Sequence, residues 1–431
     1  MNNLKTIPSP KGVPLFGNLL DMREPLAFFK RIRQQYGGLI KLRLGSSDVL
    51  LVSEPAYIKR ILQDNYHNYV RGDFVHNARL LLGNGLAMVD GHFWLQQRRL
   101  MQPAFHKKRL ARLIEMVCGT VDELVDEWRL LAKAGEPIDI AEEMMTWTLT
   151  IIVKAMFGLD DQATIQRLAE AFNVAQAFIF QRTYSLYAPP MWMPTPKNRR
   201  FLRAVAVLDE IIYGLIAERR QNRTETADLL SMLLEAQDEE TGEGMSDAQL
   251  RDEIMTIFFA GHETTATTLA WVWYVLMTNE VENGRFQQEL VSVLNGRSPT
   301  FDNLAQLTYT QQLFNESLRY YTPVWAFARE AVADDVIDGY PIPAGIGILL
   351  CPYLTHHDPA LWLEPDKFDV SRFAPEQVAQ RDRCAFFPFG SGPHLCIGQN
   401  FAYMEAQIIL ARVAQAFKLE ILPEHPISFD P

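Results

Sequence analysis

One stretch near the C-terminus accommodates no regular element: Phe387-Pro-Phe-Gly-Ser-Gly-Pro-His-Leu-Cys-Ile-Gly-Gln-Asn-Phe401. Gly390, Gly392 and Pro393 crowd into four positions, a density that breaks helix and strand alike. After Gly398 the pattern becomes helical, with Ala402, Met404, Ala406, Ile408, Ile409, Ala411 and Val413 leading to Phe417. Cys396 therefore leaves a tight loop just before a helix N-terminus. Free amides and the positive end of the helix dipole there favour a thiolate over a thiol.

A thiolate so placed is a nucleophile, a metal ligand or an inert buried residue. His394 stands two residues away, whereas catalytic Cys and His are normally distant in sequence. A zinc site needs three or four ligands; Cys384 and His394 are near, but no CxxC or HxxxH spacing accompanies them. A buried Cys leaves the surrounding glycines and proline unexplained. One large cofactor bound axially accounts for them, since glycines let the backbone lie flat against a macrocycle while one sulfur reaches its iron. The order Phe389, Gly392, Cys396, Gly398 (Phe-x-x-Gly-x-x-x-Cys-x-Gly) resembles the haem-binding loop of the cytochrome P-450 family. The resemblance implies haem b, with Cys396 as the iron ligand, and dioxygen as co-substrate.

At 431 residues, 48% hydrophobic and 22% charged, the chain can bury a large core. Neither a linker nor a repeat divides it, so one catalytic domain over 1–431 is expected. The net charge of −11 argues against nucleic acid, which wants a basic face. Cys118, Cys351, Cys384 and Cys396 are scattered and form no disulfide framework, which fits a cytoplasmic location. The start of the chain is broken by Pro8, Pro10, Gly12, Pro14 and Gly17 and holds no signal-like apolar run. The longest apolar segment, Leu269–Met277, is too short to span a bilayer. A soluble, bacterial-type member is expected.

The long helix predicted over Ser246–Asn279 opens on a capping box of Ser246 and Gln249. Its centre, Phe258-Phe-Ala-Gly-His-Glu-Thr-Thr-Ala-Thr-Thr268, gathers poor helix formers. Thr264 can bond the carbonyl of Ala260 and bend the helix, a useful defect where a ligand sits against it. His262-Glu263 does not open a zinc-protease motif, because position 266 is Ala. Ala260-Gly-His-Glu-Thr-Thr265 instead resembles the family's acid–alcohol pair. That resemblance implies that Gly261 makes room for dioxygen, Thr264 hydrogen-bonds it, and Glu263 feeds protons through water.

Other motifs follow in family order. Trp94 and Arg98, four apart on one helix face, are by default a half-buried Trp beside a solvated Arg; the resemblance makes them contacts of a haem propionate. Glu316 and Arg319, one turn apart, are joined by resemblance to Arg372 in a buried structural network, although Val370-Ser371 departs from the family form. Val324–Ala333 reads as a strand. By resemblance Arg329 reaches a propionate and Val324, Trp325, Ala326 and Phe327 wall the pocket. His394 stands where many members carry Arg, so its charge depends on pH. His356-His357-Asp358-Pro359 reads as a loop or cap, because adjacent His side chains point apart.

The remaining chain reads as a helix over Pro25–Tyr36, a hairpin of Leu39–Leu44 and Val49–Val52, a helix over Glu54–Gln63, a loop-rich Arg71–Val89 and mostly helix over 110–235. Tyr184–Pro196, rich in Pro, Met and aromatics, is a packed loop or, by resemblance, part of the roof over the substrate entrance. Arg99, Lys107, Lys108, Arg109 and Arg112 form a basic patch on an acidic protein. A solvated face is its default explanation; the resemblance makes it the docking site for a ferredoxin or flavodoxin fed by its reductase. The expected fold is mainly α with a small β-rich lobe (α+β), 1–70 and 324–350 contributing the lobe, and haem between the long central helix and the Cys-loop helix. The expected activity is insertion of one atom of dioxygen into an apolar substrate such as a fatty acid or terpenoid. A peroxide-using or isomerising thiolate-haem enzyme, or a haem-binding sensor, shares these features. Glu263 and Thr264 argue against the first two.

Overall fold

The computed structural model describes residues 5–183, 185, 188–222, 228–238, 240, 242–423 and 427, without the side chains of Asp73 and Phe74. Helices form where apolar residues recur every three or four positions. Helix α1, Pro25–Tyr36, buries Leu26, Phe28, Phe29 and Ile32 along one stripe. Among the helices that follow are α2, His76–Leu82; α3, Gly91–Met101; and α4, Ile114–Ala134. Helix α4 stops at Gly135, whose left-handed φ of 71° closes the last turn. Helix α5, Ile140–Phe157, starts where Asp139 accepts the amides of Ala141 and Glu142, and it is buried on nearly every side.

Helices α6, Gln162–Thr183, and α7, Pro196–Gln221, pack side by side. Next come α8, Asp247–Gly261; α9, Glu263–Thr278; α10, Thr308–Tyr321; and α11, Gln399–Ala416. Helix α9 packs on α5 and α10, and α11 on α4, so the α-rich core surrounds the two segments that the sequence singled out. Among the described residues no helix is long and apolar enough to cross a membrane.

Strands are few and short: β1, Leu39–Leu44; β2, Ser47–Val52; β3, Tyr69–Val70; β4, Phe327–Ala331; β5, Asp335–Ile337; β6, Tyr340–Ile342; β7, Gly347–Leu350. Five make one mixed sheet in the order β1-β2-β7-β4-β3, in which only β2 and β7 run parallel. Strands β5 and β6 form a separate hairpin. The β1–β2 turn is tighter than the sequence suggested: Leu44 pairs with Ser47, leaving Gly45 at φ 65° and Ser46 between them.

Three expectations need correction. The predicted single helix over Ser246–Asn279 is two helices, interrupted at His262. Arg71–Val89 is less irregular than its glycines imply, because α2 lies within it. The strand expected over Val324–Ala333 is confined to Phe327–Ala331, since α10 ends with Thr322 in the left-handed region and the chain turns before it can pair. Of the 184–196 segment, Tyr184, Leu186 and Tyr187 lie outside the described residues. Trp192 beyond them is 79% exposed, whereas Met191 packs against the core.

Candidate haem site

The Cys396 loop is a closed set of hydrogen bonds. The amide of Cys396 donates to Phe389 O at 2.9 Å, that of Leu395 to Gly392 O at 3.0 Å, and that of Gly390 to Phe387 O at 3.0 Å. Phe387 N donates to Nε2 of the buried His356 at 3.2 Å, which gives the His356–Pro359 stretch an anchoring role. Gly392, at φ 70°, is pressed so close to the Leu62 carbonyl that a Cβ would lie 2.1 Å from its oxygen. At Gly398 a Cβ would stand 3.9 Å from Cys396 Sγ, an ordinary contact beside the sulfur.

Cys396 has accessible surface although protein atoms surround it closely, as befits a residue lining an internal space. Burial pushes its thiol pKa up, against the amides of Gly398 and Gln399 and the charge of Arg98, which pull it down. The expectation of a thiolate from the helix terminus alone is therefore corrected: in the protein by itself burial wins. A bound cation would reverse that balance, because a coordinating thiol is deprotonated outright.

Opposite chemistry is built into the junction of α8 and α9. The Ala260 carbonyl accepts the Thr264 hydroxyl at 3.1 Å, and that of Gly261 accepts Thr265 at 3.2 Å. The His262 carbonyl takes the Thr148 hydroxyl of α5 at 3.1 Å. Hydroxyls thus enter the carbonyl ladder at the point where the helix is interrupted. Of the capping box, the bond from Gln249 N to Ser246 Oγ forms, at 3.3 Å. Ala260 is exposed although Ile257 and Phe258 beside it are buried, and Thr264 lies one turn on along the same face. His262 points the other way, buried edge-on to Phe172.

Glu263 is not left to solvent or to water alone. Its Oε2 accepts Nε2 of Gln176 on α6 at 2.5 Å. Burial raises its pKa against that bond, so the carboxyl holds its proton more readily than an exposed acid. No motif could have pointed to Gln176; only the packing of α6 over the junction brings it there.

The third part of the site is cationic. Trp94 is buried and stacks on the His394 ring, with centroids 3.9 Å apart and planes 10° from parallel. Arg98 donates to the Leu395 carbonyl at 2.9 Å, tying α3 to the Cys396 loop. Arg329 on β4 is closely surrounded by protein and donates to the neighbouring Ala328 carbonyl at 2.7 Å. Burial and the nearby charge of Arg71 push its pKa down to about 10. His394 lies among Arg71, Arg329, Arg98 and His67; burial and those charges push its pKa down to about 3, so it is neutral at physiological pH. Carboxylates bound beside it would push that pKa back up. Its Nδ1 is buried with no hydrogen-bond partner among the described residues.

Other predicted residues are placed as follows. Glu316 binds Arg319 through both oxygens, at 2.7 and 2.8 Å, and Arg372 Nε lies 3.5 Å from Glu316. Trp325 and Ala326 pack on the cluster of Phe28, Phe29 and Ile40, and Phe327 meets Phe387 of the Cys396 loop. All three are half-buried, with one side packed on the sheet lobe or the loop. Val324 is half-buried ahead of them. Arg99 is withdrawn from the free basic patch by Glu240 and Asp238, at 2.5 and 3.4 Å. Lys107, Lys108, Arg109 and Arg112 are exposed.

A group carrying a soft-ligand metal and two carboxylates fits these residues: one sulfur in a glycine-cleared cradle, and buried guanidinium groups in excess of the acid beside them. The chain matches the family model described as Cytochrome P450 over residues 7–430. It is 34% identical over 417 residues to cyclooctat-9-en-7-ol 5-monooxygenase of Streptomyces melanosporofaciens, covering 96% of this chain and 90% of that one. It is 29% identical over 418 residues to pentalenene oxygenase of Streptomyces avermitilis, covering 96% and 92%. The crystal structure of the cytochrome P450DA heme domain superposes with a TM-score of 0.87 at 28% identity, over 95% of this chain and 91% of that one. With fold, motif order and near end-to-end similarity in agreement, the chain belongs to the cytochrome P450 family and is a haem-b monooxygenase that uses dioxygen on an apolar substrate, with electrons from redox partners.

Proposed function

We propose that Cys396 is the iron ligand and that the chain hydroxylates a terpenoid or similar apolar secondary metabolite, with Glu263 and Thr264 handling protons. Haem b supplies the activation of dioxygen and the transfer of one oxygen atom, for two electrons and two protons. The chain's own part is positioning and proton supply. Thr264 and Ala260 share one helix face, and because the Thr264 hydroxyl gives its proton to the Ala260 carbonyl, its oxygen is left to accept a hydrogen bond from a ligand or water on that face. Glu263, its pKa raised by burial, holds a proton more readily than an exposed acid and is suited to pass it on. Gln176 holds the carboxyl in place. The single observation that carries the monooxygenase assignment of these residues is the helix junction, whose carbonyls are taken by threonine hydroxyls beside a buried acid. A peroxide user, an isomerase or a pure haem binder has no need of that proton machinery.

The substrate class rests on the monooxygenase and oxygenase named above and on an apolar core. The redox partner in this reading is an acidic ferredoxin or flavodoxin, served by its reductase in the cytoplasm, that docks on Lys107, Lys108, Arg109 and Arg112. Lys108, Arg109 and Arg112 line, with Arg99 and Gln102, a groove of about 730 Å3. The test is the carbon monoxide difference spectrum of the dithionite-reduced protein beside Cys396→Ser. A strongly red-shifted Soret band, lost in the variant, is expected. Haem uptake without that band in the unaltered protein would remove Cys396 as thiolate ligand.

A further inference from the structure

We propose that Arg71 is a haem-carboxylate residue of this site, sharing its guanidinium between Asp90 and a haem propionate. Strands β3 and β4 run antiparallel, with Tyr69 opposite Ala331 and Val70 opposite Glu330. Arg71, just past the end of β3, follows next toward Arg329, close enough for its charge to act there. Like charges facing each other across a ladder are destabilising, and here both are withdrawn from water: the Arg71 side chain is 11% exposed, and Arg329 is closely surrounded.

Asp90 accounts for only part of this charge. One of its oxygens lies 2.7 Å from Arg71 Nη1 and the other accepts the Arg71 amide at 3.0 Å, so both face Arg71. Arg329 makes its hydrogen bond to a neutral carbonyl, and Arg98 to another. Three guanidinium groups thus gather around His394 with one carboxylate among them. Buried cations need paired anions, and the group this edge faces brings two carboxylates. Arg71 also reaches the Val89 carbonyl at 2.5 Å, and Asp90 is the residue from which α3, with Trp94 and Arg98, departs. Arg71 therefore joins the sheet lobe to the helix at the carboxylate edge.

The competing role is a strut that only holds the start of α3 through Asp90. Haem with esterified propionates separates the two. Wild type and Arg71→Gln are each loaded with natural haem or with haem dimethyl ester, and transfer of the group to apomyoglobin is timed. A lost charge-assisted hydrogen bond predicts transfer from the variant about tenfold faster than from wild type with natural haem. With the ester the ratio of the two rates falls to about one, because the ester offers no anion to lose. A ratio still near tenfold with the ester makes Arg71 a strut, and a ratio near one with natural haem removes it from the site; either overturns the proposal. Should Arg71→Gln fold poorly, Arg71→Lys enters the same comparison, with a smaller ratio expected for natural haem and again one for the ester. The inference rests on the haem reading, whose failure shows separately in the carbon monoxide band of the wild type.

Discussion

Thr264 occupies a position that local propensity argues against and that the site requires. Its hydroxyl takes the Ala260 carbonyl at 3.1 Å, beside the interruption at His262, and leaves its oxygen as an acceptor. Thr264→Ala removes that hydroxyl while leaving the glycine cradle of Cys396 unchanged. The expected outcome is a loss of product per electron consumed of up to about 100-fold, the lower end of what a positioned acid–base group contributes, with the missing electrons recovered as hydrogen peroxide. Unchanged coupling in a side-by-side assay of NAD(P)H use and product would sink the proton role. Glu405 on α11 is a different kind of residue. It is fully buried, both carboxyl oxygens lack a partner among the described residues, and burial pushes its pKa well above the usual carboxylate range. Below the unfolded value of about 4.3 both states hold the proton. As pH rises through that value the unfolded chain ionises and the folded one does not, so stability falls up to the folded pKa. Glu405→Gln is therefore expected to gain on the order of 1 kcal/mol or more at pH 7 and nothing near pH 4. Thermal midpoints of the haem-loaded proteins across that range decide it: a gain independent of pH would mean that burial does not hold the proton on Glu405.

Elements show where sequence reasoning reaches and where it stops. The hairpin of β1 and β2, helix α1 and the Cys396 loop lie within a residue or two of their predicted positions, because turns, caps and glycine-dense runs are set by neighbours in the chain. The interruption at His262 was legible as a weakness, from Gly261 and the threonines, but not as a boundary. Whether a weak helix bends or breaks depends on what packs beside it, here Thr148 on α5 taking the His262 carbonyl. Within the loop the glycines are not equivalent. A side chain at Gly392 would strike the Leu62 carbonyl, whereas at Gly390, φ 74°, the nearest atom is 3.8 Å away. Gly390→Ala should cost about 1–2 kcal/mol from the left-handed backbone alone. Gly392→Ala should cost more and leave much of the purified protein without haem. Equal haem content and equal thermal midpoints in the two variants would show that the contact with Leu62 yields without cost.

At the scale of the molecule, Glu316 and Arg319 hold distant segments in register with α10. Arg319 donates to the carbonyls of His356, Pro365 and Lys367, and Glu316 accepts the Asp369 amide, so one buried pair pins the chain ahead of the Cys396 loop. Both side chains are wholly buried, and removing one charge strands the other. Glu316→Gln is expected to cost about 3–5 kcal/mol and to lower the yield of haem-loaded protein. What does load should keep its carbon monoxide band unshifted, since the pair holds the scaffold and touches no ligand. A shifted band would place Glu316 in the ligand's electronic environment instead.

The sequence by itself determined what depends on near neighbours: the class of fold, the glycine cradle that presents Cys396, the acid–alcohol defect in the long helix, and the Glu316–Arg319 pair one turn apart. Tertiary structure alone decided how those pieces are charged and held. Gln176 comes to Glu263 from a helix 87 positions away along the chain. Asp238 and Glu240 take Arg99 out of the basic patch, and the pairing of β3 with β4 brings Arg71 near Arg329. Burial overrode the local preferences of Cys396 and His394, because the cost of a buried charge depends on all the atoms around it and not on the residues beside it in the chain.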